Sequence, residues 1–545
     1  MAKSDSTYSP SNNGTALDAV IVGAGFAGLY MLHKLREQGL TARIFEAGSG
    51  PGGTWFWNRY PGARVDIESM QYSYQFSEEL QQQWQWSERY APQAELLQYI
   101  DHVVERFDLA KDIQFNTRLE SAVFDEATRQ WQVATDSGDQ LTAKYCIMAT
   151  GCLSAANRPD IAGIDTFSGP TYHTGEWPHE AVDFSGKRVG IIGTGSSAIQ
   201  AIPIIAEQAD HLTVFQRTPN FSVPAHNKAL DPSYVKDVKQ NYASLRERGK
   251  QDFIGFDTQS NEKAATEMSP EEIRAELNKR WEMGGLNFYG SFADFIVNQQ
   301  TNDLISDFVR EKIAEKVKDP EVAQLLAPKT VFACKRPCAD TGYFETYNRD
   351  NVTLVDIATT PIEAITKTGL RMGKGEDEQL HEFDILVFAT GFDAMTGSLN
   401  KIDILGIDGQ SLKDKWSGGP RTYLGLCSAG FPNLFTISGP GSPSVFTNMV
   451  TSIEQHVEYI GDIITYMDEH QLTTIDANKA AEDQWVEHVN EVAGETLLNS
   501  CSSWYLGANV PGKKRVFMPY IGGFPPYVEK CDEVAANGYE GFILA

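Results

Sequence analysis

Two short glycine-rich stretches have the spacing that cradles a dinucleotide, and the residues that follow them differ in charge. Gly23-Ala24-Gly25-Phe26-Ala27-Gly28 is followed by Glu46, and Gly193-Thr194-Gly195-Ser196-Ser197-Ala198 by Arg217-Thr218. The glycines permit a tight turn and close approach of backbone to a pyrophosphate, and the helix that follows presents a partially positive N-terminus. A carboxylate after the second strand suits a free ribose hydroxyl, whereas an arginine suits a ribose phosphate. One chain is therefore expected to hold two different dinucleotides, most simply FAD at the first loop and NADPH at the second, which makes it a redox enzyme. Ala198 stands where a third glycine would be, a change that the helix–strand contact tolerates. Arg217 and Thr218 should favour NADPH over NADH by roughly ten- to hundredfold, the value of charge-assisted hydrogen bonds.

Each loop needs a strand before it and a helix and strand after it. Residues 17–22 form an apolar run ending at the first glycines, 27–38 have helical character with Gly39 as a stop, and 42–46 read as the next strand. Residues 187–192, 198–206 and 212–216 repeat that plan around the second loop. Two more apolar strands, 144–150 and 384–389, each end in Ala-Thr-Gly (149–151 and 389–391), and 352–357 has strand character. Two such crossings imply that the chain leaves its first domain and later returns to it. Between 223 and 328 charged helical stretches dominate, including 233–248 and a start at Ser269-Pro270-Glu271-Glu272, with a capping serine and a first-turn proline. The fold class read from this pattern is α/β: two Rossmann-like dinucleotide-binding domains with a helical insertion. The expected boundaries are a polar tail at 1–16, a discontinuous FAD-binding domain at 17–153 and 385–545, an NADP-binding domain at 154–222 and 329–384, and the insertion at 223–328.

Composition narrows the setting. A chain of 545 residues predicts roughly three to four domains. Its net charge of −27 repels nucleic acid and anionic membranes, so neither is expected as a partner, and cofactor sites must gather local Lys and Arg. Seven cysteines, few and odd in number, fit a reducing cytoplasm. Cys334-x3-Cys338 matches neither a zinc knuckle nor a CxxC redox motif and is read as unpaired thiols. The ten histidines form no HxH or HxxxH cluster, so no metal is expected. The longest apolar run, 19–32, has 14 residues and three glycines, too short for a bilayer. No basic n-region precedes it, so neither a signal peptide nor a membrane anchor is expected. The expected state is a monomer.

Between the loops lies Phe167-x-Gly169-x-x-x-His173-x-x-x-Trp177-Pro178. Spacing alone gives it no mechanism, and a lone histidine beside aromatic residues is ordinarily structural. The stretch resembles the fingerprint of Baeyer–Villiger monooxygenases. Gly52-Gly53-Thr54-Trp55-Phe56-Trp57-Asn58-Arg59-Tyr60-Pro61-Gly62-Ala63-Arg64-Val65-Asp66 is similar to the second signature of that family. The resemblance runs over essentially the whole chain and includes Cys334-Lys335-Arg336, residues 388–393 and Ser502-Ser503-Trp504-Tyr505. It is greatest to the phenylacetone and cyclohexanone monooxygenase branch. The Trp177-Pro178 ending separates it from N-oxidising flavin monooxygenases, whose motif typically ends in an aromatic residue and lysine.

What the resemblance implies is a cycle in which NADPH reduces FAD, reduced flavin and O2 form a C4a-peroxide, and this attacks a ketone to give an ester or lactone. The cofactor carries the hard chemistry, and the protein supplies position, charge and exclusion of water. Arg336 matches the family's active-site arginine, a cation at any working pH, and Asp66 matches its acidic partner. Lys335 matches a second 2′-phosphate contact and Trp504 a tryptophan near the nicotinamide ribose. Thr54, Trp55 and Tyr72 fall where relatives contact flavin; Arg64, Asp66, Gln200 and Met449 join the cofactor contacts. Ser444, Val445 and Phe446, with Met449, lie in a loop that lines the substrate pocket in relatives. His173 is expected to act as a hinge with Phe167, Gly169 and Trp177, not as an acid or base. Two other functions compete: a heteroatom-oxidising flavin monooxygenase, and a flavin reductase feeding a protein partner. The latter would want a redox dithiol or a docking surface, which the sequence does not clearly offer.

Overall fold

The computed structural model describes residues 14–375 and 378–545; residues 1–13 of the expected polar tail lie outside them. Strand β1 (Thr15–Val22) starts two residues before the expected 17 and ends in four buried residues. Helix α1 (Phe26–Glu37) and strand β2 (Ala42–Phe45) complete a βαβ unit in which Ile21 pairs with Ile44. Strand β3 (Gln140–Met148) flanks β1 on the other side, pairing Ile21 with Ile147. Buried on both faces, these strands carry apolar runs where a half-exposed strand would alternate.

The sheet has eight strands. Its order is Asp403–Leu405, Leu119–Asp125, Gln130–Thr135, β3, β1, β2 and Ile113–Gln114, with Leu434–Thr436 also pairing β3. Strands from beyond residue 400 thus join the first sheet.

The second sheet has five parallel strands. They are β4 (Thr171–His173), β5 (Arg188–Ile192), β6 (His211–Gln216), β7 (Val352–Asp356) and β8 (Ile385–Phe388), in the order β7-β6-β5-β8-β4. Helix α2 (Ser196–Gln208) joins β5 to β6. The boundary expected at 385 therefore falls one strand early: β8 is wedged between β5 and β4, and the chain turns back toward the first sheet only after Ala389. The two Ala-Thr-Gly segments have a steric reason to recur. Gly23 has φ +107°, and a Cβ there would lie 2.6 Å from Ala149 O; Gly193 has φ +116°, and a Cβ there would overlap Ala389 O. Each crossing segment is pressed onto its own glycine loop.

Residues 223–328 hold helices Pro232–Gln240, Tyr242–Gln251, Pro270–Met283, Gln299–Lys316 and Pro320–Leu326. The single helix expected over 233–248 is two, because Asn241 leaves helical geometry (φ −116°, ψ 19°) and caps both. At Ser269 the capping box is complete: its Oγ accepts from Glu272 N, and the Glu272 carboxylate accepts from Ser269 N at 2.8 Å. Helix α3 (Met449–Glu469) packs along α1, where Gln38 Nε2 donates to Gly461 O at 2.8 Å. Among the described residues no helix is long and apolar enough to cross a membrane, no group of His, Cys, Asp and Glu side chains is placed to hold a metal, and all seven cysteines are free.

Candidate active site

The two glycine-loop helices begin alike. Gly25, at φ −84° and ψ −171°, caps α1, and Gly195, at φ −85° and ψ −174°, caps α2; neither helix has a side-chain cap or an acid in its first turn. The first N–H groups of each helix have no intrahelical acceptor and face outward with the positive end of the helix dipole. Helices such as Pro270–Met283 cap themselves; these two leave the place open to an anion.

The surroundings of the first loop fit FAD. Glu46 is 5 % exposed; its Oε2 accepts from Ala24 N at 2.7 Å and its Oε1 from Gly48 N at 2.6 Å, so it clamps the loop while keeping lone pairs for a ribose. Ala27 is buried, and a Cβ on Gly28 would overlap Gly23 O. Gly53 lies over Gly25, and Thr54, itself exposed, starts the short helical turn Thr54–Trp57, which buries Trp55 and Phe56. Trp55 Nε1 donates to Tyr72 OH at 3.3 Å, and the Tyr72 ring stands edge-on to Phe26, 5.6 Å between centroids. Burial raises the Tyr72 phenol, which stays protonated. Met449 opens α3, half-buried.

The second loop fits NADP(H). Around Gly195 a Cβ would meet nothing within 4 Å, the space a pyrophosphate needs. Thr194 Oγ1 donates to Thr218 O at 3.2 Å, and Ala198 is fully buried at the helix–strand contact. Arg217 is exposed at the end of β6 beside Lys335. Burial lowers the Lys335 ammonium; Cys334 opposes that shift and the Arg217 charge adds to it. Two cations side by side suit a phosphate dianion. Ser503 Oγ, buried next to Trp504, has no protein hydrogen-bond partner, a polar group left for a ligand.

The segment that follows Gly53 leans on both loops and carries Asp66 to Arg336, 270 residues away. Arg336 Nε lies 2.6 Å from Asp66 Oδ2 and Nη2 lies 3.2 Å from Oδ1, while Nη1 donates to Val445 O at 2.7 Å. Burial opposes the guanidinium charge, but the Asp66 carboxylate outweighs it and the pKa is raised. Three of the five N–H groups are engaged and two remain. Val445 follows Ser444, which sits in the left-handed region at φ +44°. Phe446 packs on Tyr505 and stacks on Phe517, at centroid distances of 4.4 and 5.8 Å.

The fingerprint stretch holds its histidine from both sides. His173 Nδ1 accepts from Gly175 N at 3.0 Å. Its Nε2 meets Thr390 Oγ1 at 3.2 Å, and because that hydroxyl donates to Asn157 O at 2.6 Å, Nε2 carries the proton. Burial lowers the His173 pKa. With both nitrogens occupied, the ring ties β4 to the second Ala-Thr-Gly. A Cβ on Gly169 would come within 2.5 Å of Asp384 O, Phe167 packs near β8, and Trp177 is buried.

Several expected cofactor contacts have their side chains engaged within the protein. Arg64 Nη1 donates to Glu88 Oε2 at 2.9 Å and Tyr90 O at 3.0 Å. Ser197 Oγ meets Thr174 Oγ1 at 3.0 Å, Ser196 Oγ meets Cys338 Sγ at 3.2 Å, and Gln200 bonds to Tyr60 and Arg64. Cys338 thus faces α2 and not Cys334. Arg59 was not singled out from sequence; its Nη2 donates to Trp177 O at 2.8 Å, joining the two signature stretches. The available signal was a cation lying inside an aromatic-rich stretch, 55–60, with no acid beside it in sequence.

Two dinucleotide-binding folds that flank a half-buried arginine–carboxylate pair define an FAD- and NADPH-dependent oxidoreductase. Comparison with known proteins narrows this class. Residues 20–280 match the family model described as pyridine nucleotide-disulphide oxidoreductase. The chain is 44% identical to a Baeyer–Villiger monooxygenase of Pseudooceanicola batsensis, over 97% of this chain and 96% of the relative. It is 43% identical to the phenazine N-monooxygenase PhzNO1 of Lysobacter antibioticus, over 98% of both. A steroid monooxygenase solved with NADP superposes with TM-score 0.92 at 51% identity, covering 97% of this chain and 99% of that one. Other matching structures hold both FAD and NADP. The chain belongs to the Baeyer–Villiger monooxygenase family.

Proposed function

We propose that this protein inserts one oxygen atom of O2 beside the carbonyl of a ketone, giving an ester or lactone. NADPH supplies the two electrons that send the second oxygen to water. FAD, when bound, carries those electrons from NADPH to O2. The observation that carries the proposal is the Arg336 guanidinium, fixed on three sides by Asp66 and Val445 O with two N–H groups unengaged. A preorganised, half-buried cation with free donors stabilises negative charge that develops on oxygen. Asp66 orients it and keeps it charged. Arg217 and Lys335 hold the 2′-phosphate of NADPH, Glu46 the ribose of FAD, and the residues around Val445 and Phe446 shape the ketone site. On this proposal the FAD unit is formed by 17–153 with the chain after 389, the NADP unit by 154–222 with 329–388, and 223–328 is an insertion. Seven free thiols fit a cytoplasmic protein, and it is taken as a monomer.

The test is a panel of aromatic, cyclic and linear ketones with NADPH, scored by ester formed and not by NADPH lost. The wild type forms ester from at least one. Arg336→Ala still lets NADPH bleach the flavin but lowers ester formation by about 10²–10³-fold, the cost of removing one preorganised donor. Undiminished ester formation in that variant would overturn the role. A second reading, N-oxidation, is favoured by the similarity to phenazine N-monooxygenase. It prevails if the panel yields no ester while a phenazine yields its N-oxide.

A further inference from the structure

Helix α2 touches both arms of the Arg336–Asp66 pair from one face. Ser196 and Gln200 are four residues apart, one turn along the helix, and so project to the same side. Ser196 Oγ lies 3.2 Å from Cys338 Sγ, two residues after Arg336. Asn220 Nδ2 braces that segment, donating to Arg336 O at 3.1 Å and Cys338 Sγ at 3.2 Å. On the other arm, Gln200 Nε2 donates to Arg64 O at 3.1 Å, and its Oε1 accepts from Tyr60 OH at 2.8 Å and Arg64 N at 3.4 Å, two residues before Asp66. Gly62, at φ +81°, lies flat on the same turn; a Cβ there would overlap Gln200 O. Any larger residue would lift the loop off the helix. Burial raises the Tyr60 phenol, so it remains a donor at working pH.

We infer that Ser196, Gln200 and Tyr60 are positioning residues that couple the seat of the nicotinamide dinucleotide to the geometry of the Arg336–Asp66 pair. This rests on the proposed function, in which the uncapped N-terminus of α2 receives the pyrophosphate. The helix is a rigid rod over one turn, so a small shift at its first N–H groups on docking reaches Gln200 undiminished. From there it passes through Arg64 to Asp66, and from Ser196 through Cys338 to Arg336. A site that stabilises charge must be held within about 0.5 Å of its productive geometry, so shifts of that size matter. Ser196 and Gln200 serve the cofactor through the backbone of their helix, and their side chains serve the ion pair.

The experiment compares holoenzyme carrying Gln200→Met, which keeps the length and apolar stem but not the hydrogen bonds, with Tyr60→Phe, which deletes one hydroxyl. Amide hydrogen exchange is followed at residues 64–66 and 334–340 with and without NADP+, alongside NADP+ affinity and ester formed per NADPH consumed. In the wild type NADP+ protects both segments. In Tyr60→Phe that protection falls about fivefold, the effect of one lost hydrogen bond, and in Gln200→Met, which loses three, it falls further. NADP+ affinity stays within about twofold because no direct contact is removed, and peroxide release replaces the missing ester. The inference is overturned if both variants retain the protection. It is equally overturned if Gln200→Met weakens NADP+ binding about tenfold while ester per NADPH is unchanged, which would make Gln200 a direct cofactor contact. Should Gln200→Met fail to fold, Tyr60→Phe decides. If the wild type forms no ester from any ketone, the proposed function fails, and the exchange comparison still settles the coupling.

Discussion

The two glycine loops share their backbone and differ in what closes around it. At the first, Glu46 is buried with both carboxylate oxygens bonded to main-chain amides, Gly53 covers Gly25, and the third glycine leaves no room for a methyl. At the second, Arg217 is exposed, the space beyond Gly195 is open, and an alanine stands in the third position. On the proposed function, one motif serves two kinds of tenancy: a cofactor built in, and one that must reach its seat from solvent at every turnover.

That contrast can be broken at three places. The largest effect falls on the tight loop. Gly28→Ala drives a methyl into Gly23 O, an overpacking cost of about 3 kcal/mol; the dissociation constant for flavin should rise about a hundredfold, and flavin content per protein, read from its visible absorbance, should fall. Full flavin content would mean that the first loop is as loose as the second. Next comes Arg217→Ala. It should raise the KM for NADPH by roughly ten- to hundredfold, the value of a charge-assisted pair, and leave NADH use unchanged; equal loss with both cofactors would remove the 2′-phosphate from Arg217. Smallest is Ala198→Gly, which restores the first loop's pattern in the second. It should cost about 1 kcal/mol of helix stability, visible as a small drop in denaturation midpoint, with NADPH KM within about twofold of wild type.

The loops were legible in sequence because their constraint is local and steric: a glycine at positive φ can be recognised from its neighbours. The Arg336–Asp66 contact could not be read from spacing across 270 residues, and only the resemblance joined them. Asn241 broke a helix that charge pattern alone ran through. The three antiparallel strands Ile362–Ile365, Gly369–Met372 and Gln379–Glu382 were missed, since the last of them carries mainly exposed polar residues with no clean alternation. The boundary at 385 was placed one strand early because β8 precedes the same Ala-Thr-Gly that ends β3. Ser196, Gln200 and Arg64 were expected at the cofactor by position in their motifs; which way a side chain turns is decided by packing, and the motif does not record it.

Val445 holds Arg336 by its carbonyl oxygen, not by its side chain. The hydrogen bond to Arg336 can therefore survive a change of side chain there, provided the replacement fits the buried space that Val445 fills and the backbone stays where the left-handed Ser444 sets it. On the proposed function, a lineage could exchange side chains through this loop, and with them the ketones it accepts, without disturbing the Arg336 charge. An insertion or deletion in the same few residues would move both at once. Divergence in substrate should then proceed here by substitution and not by change of length.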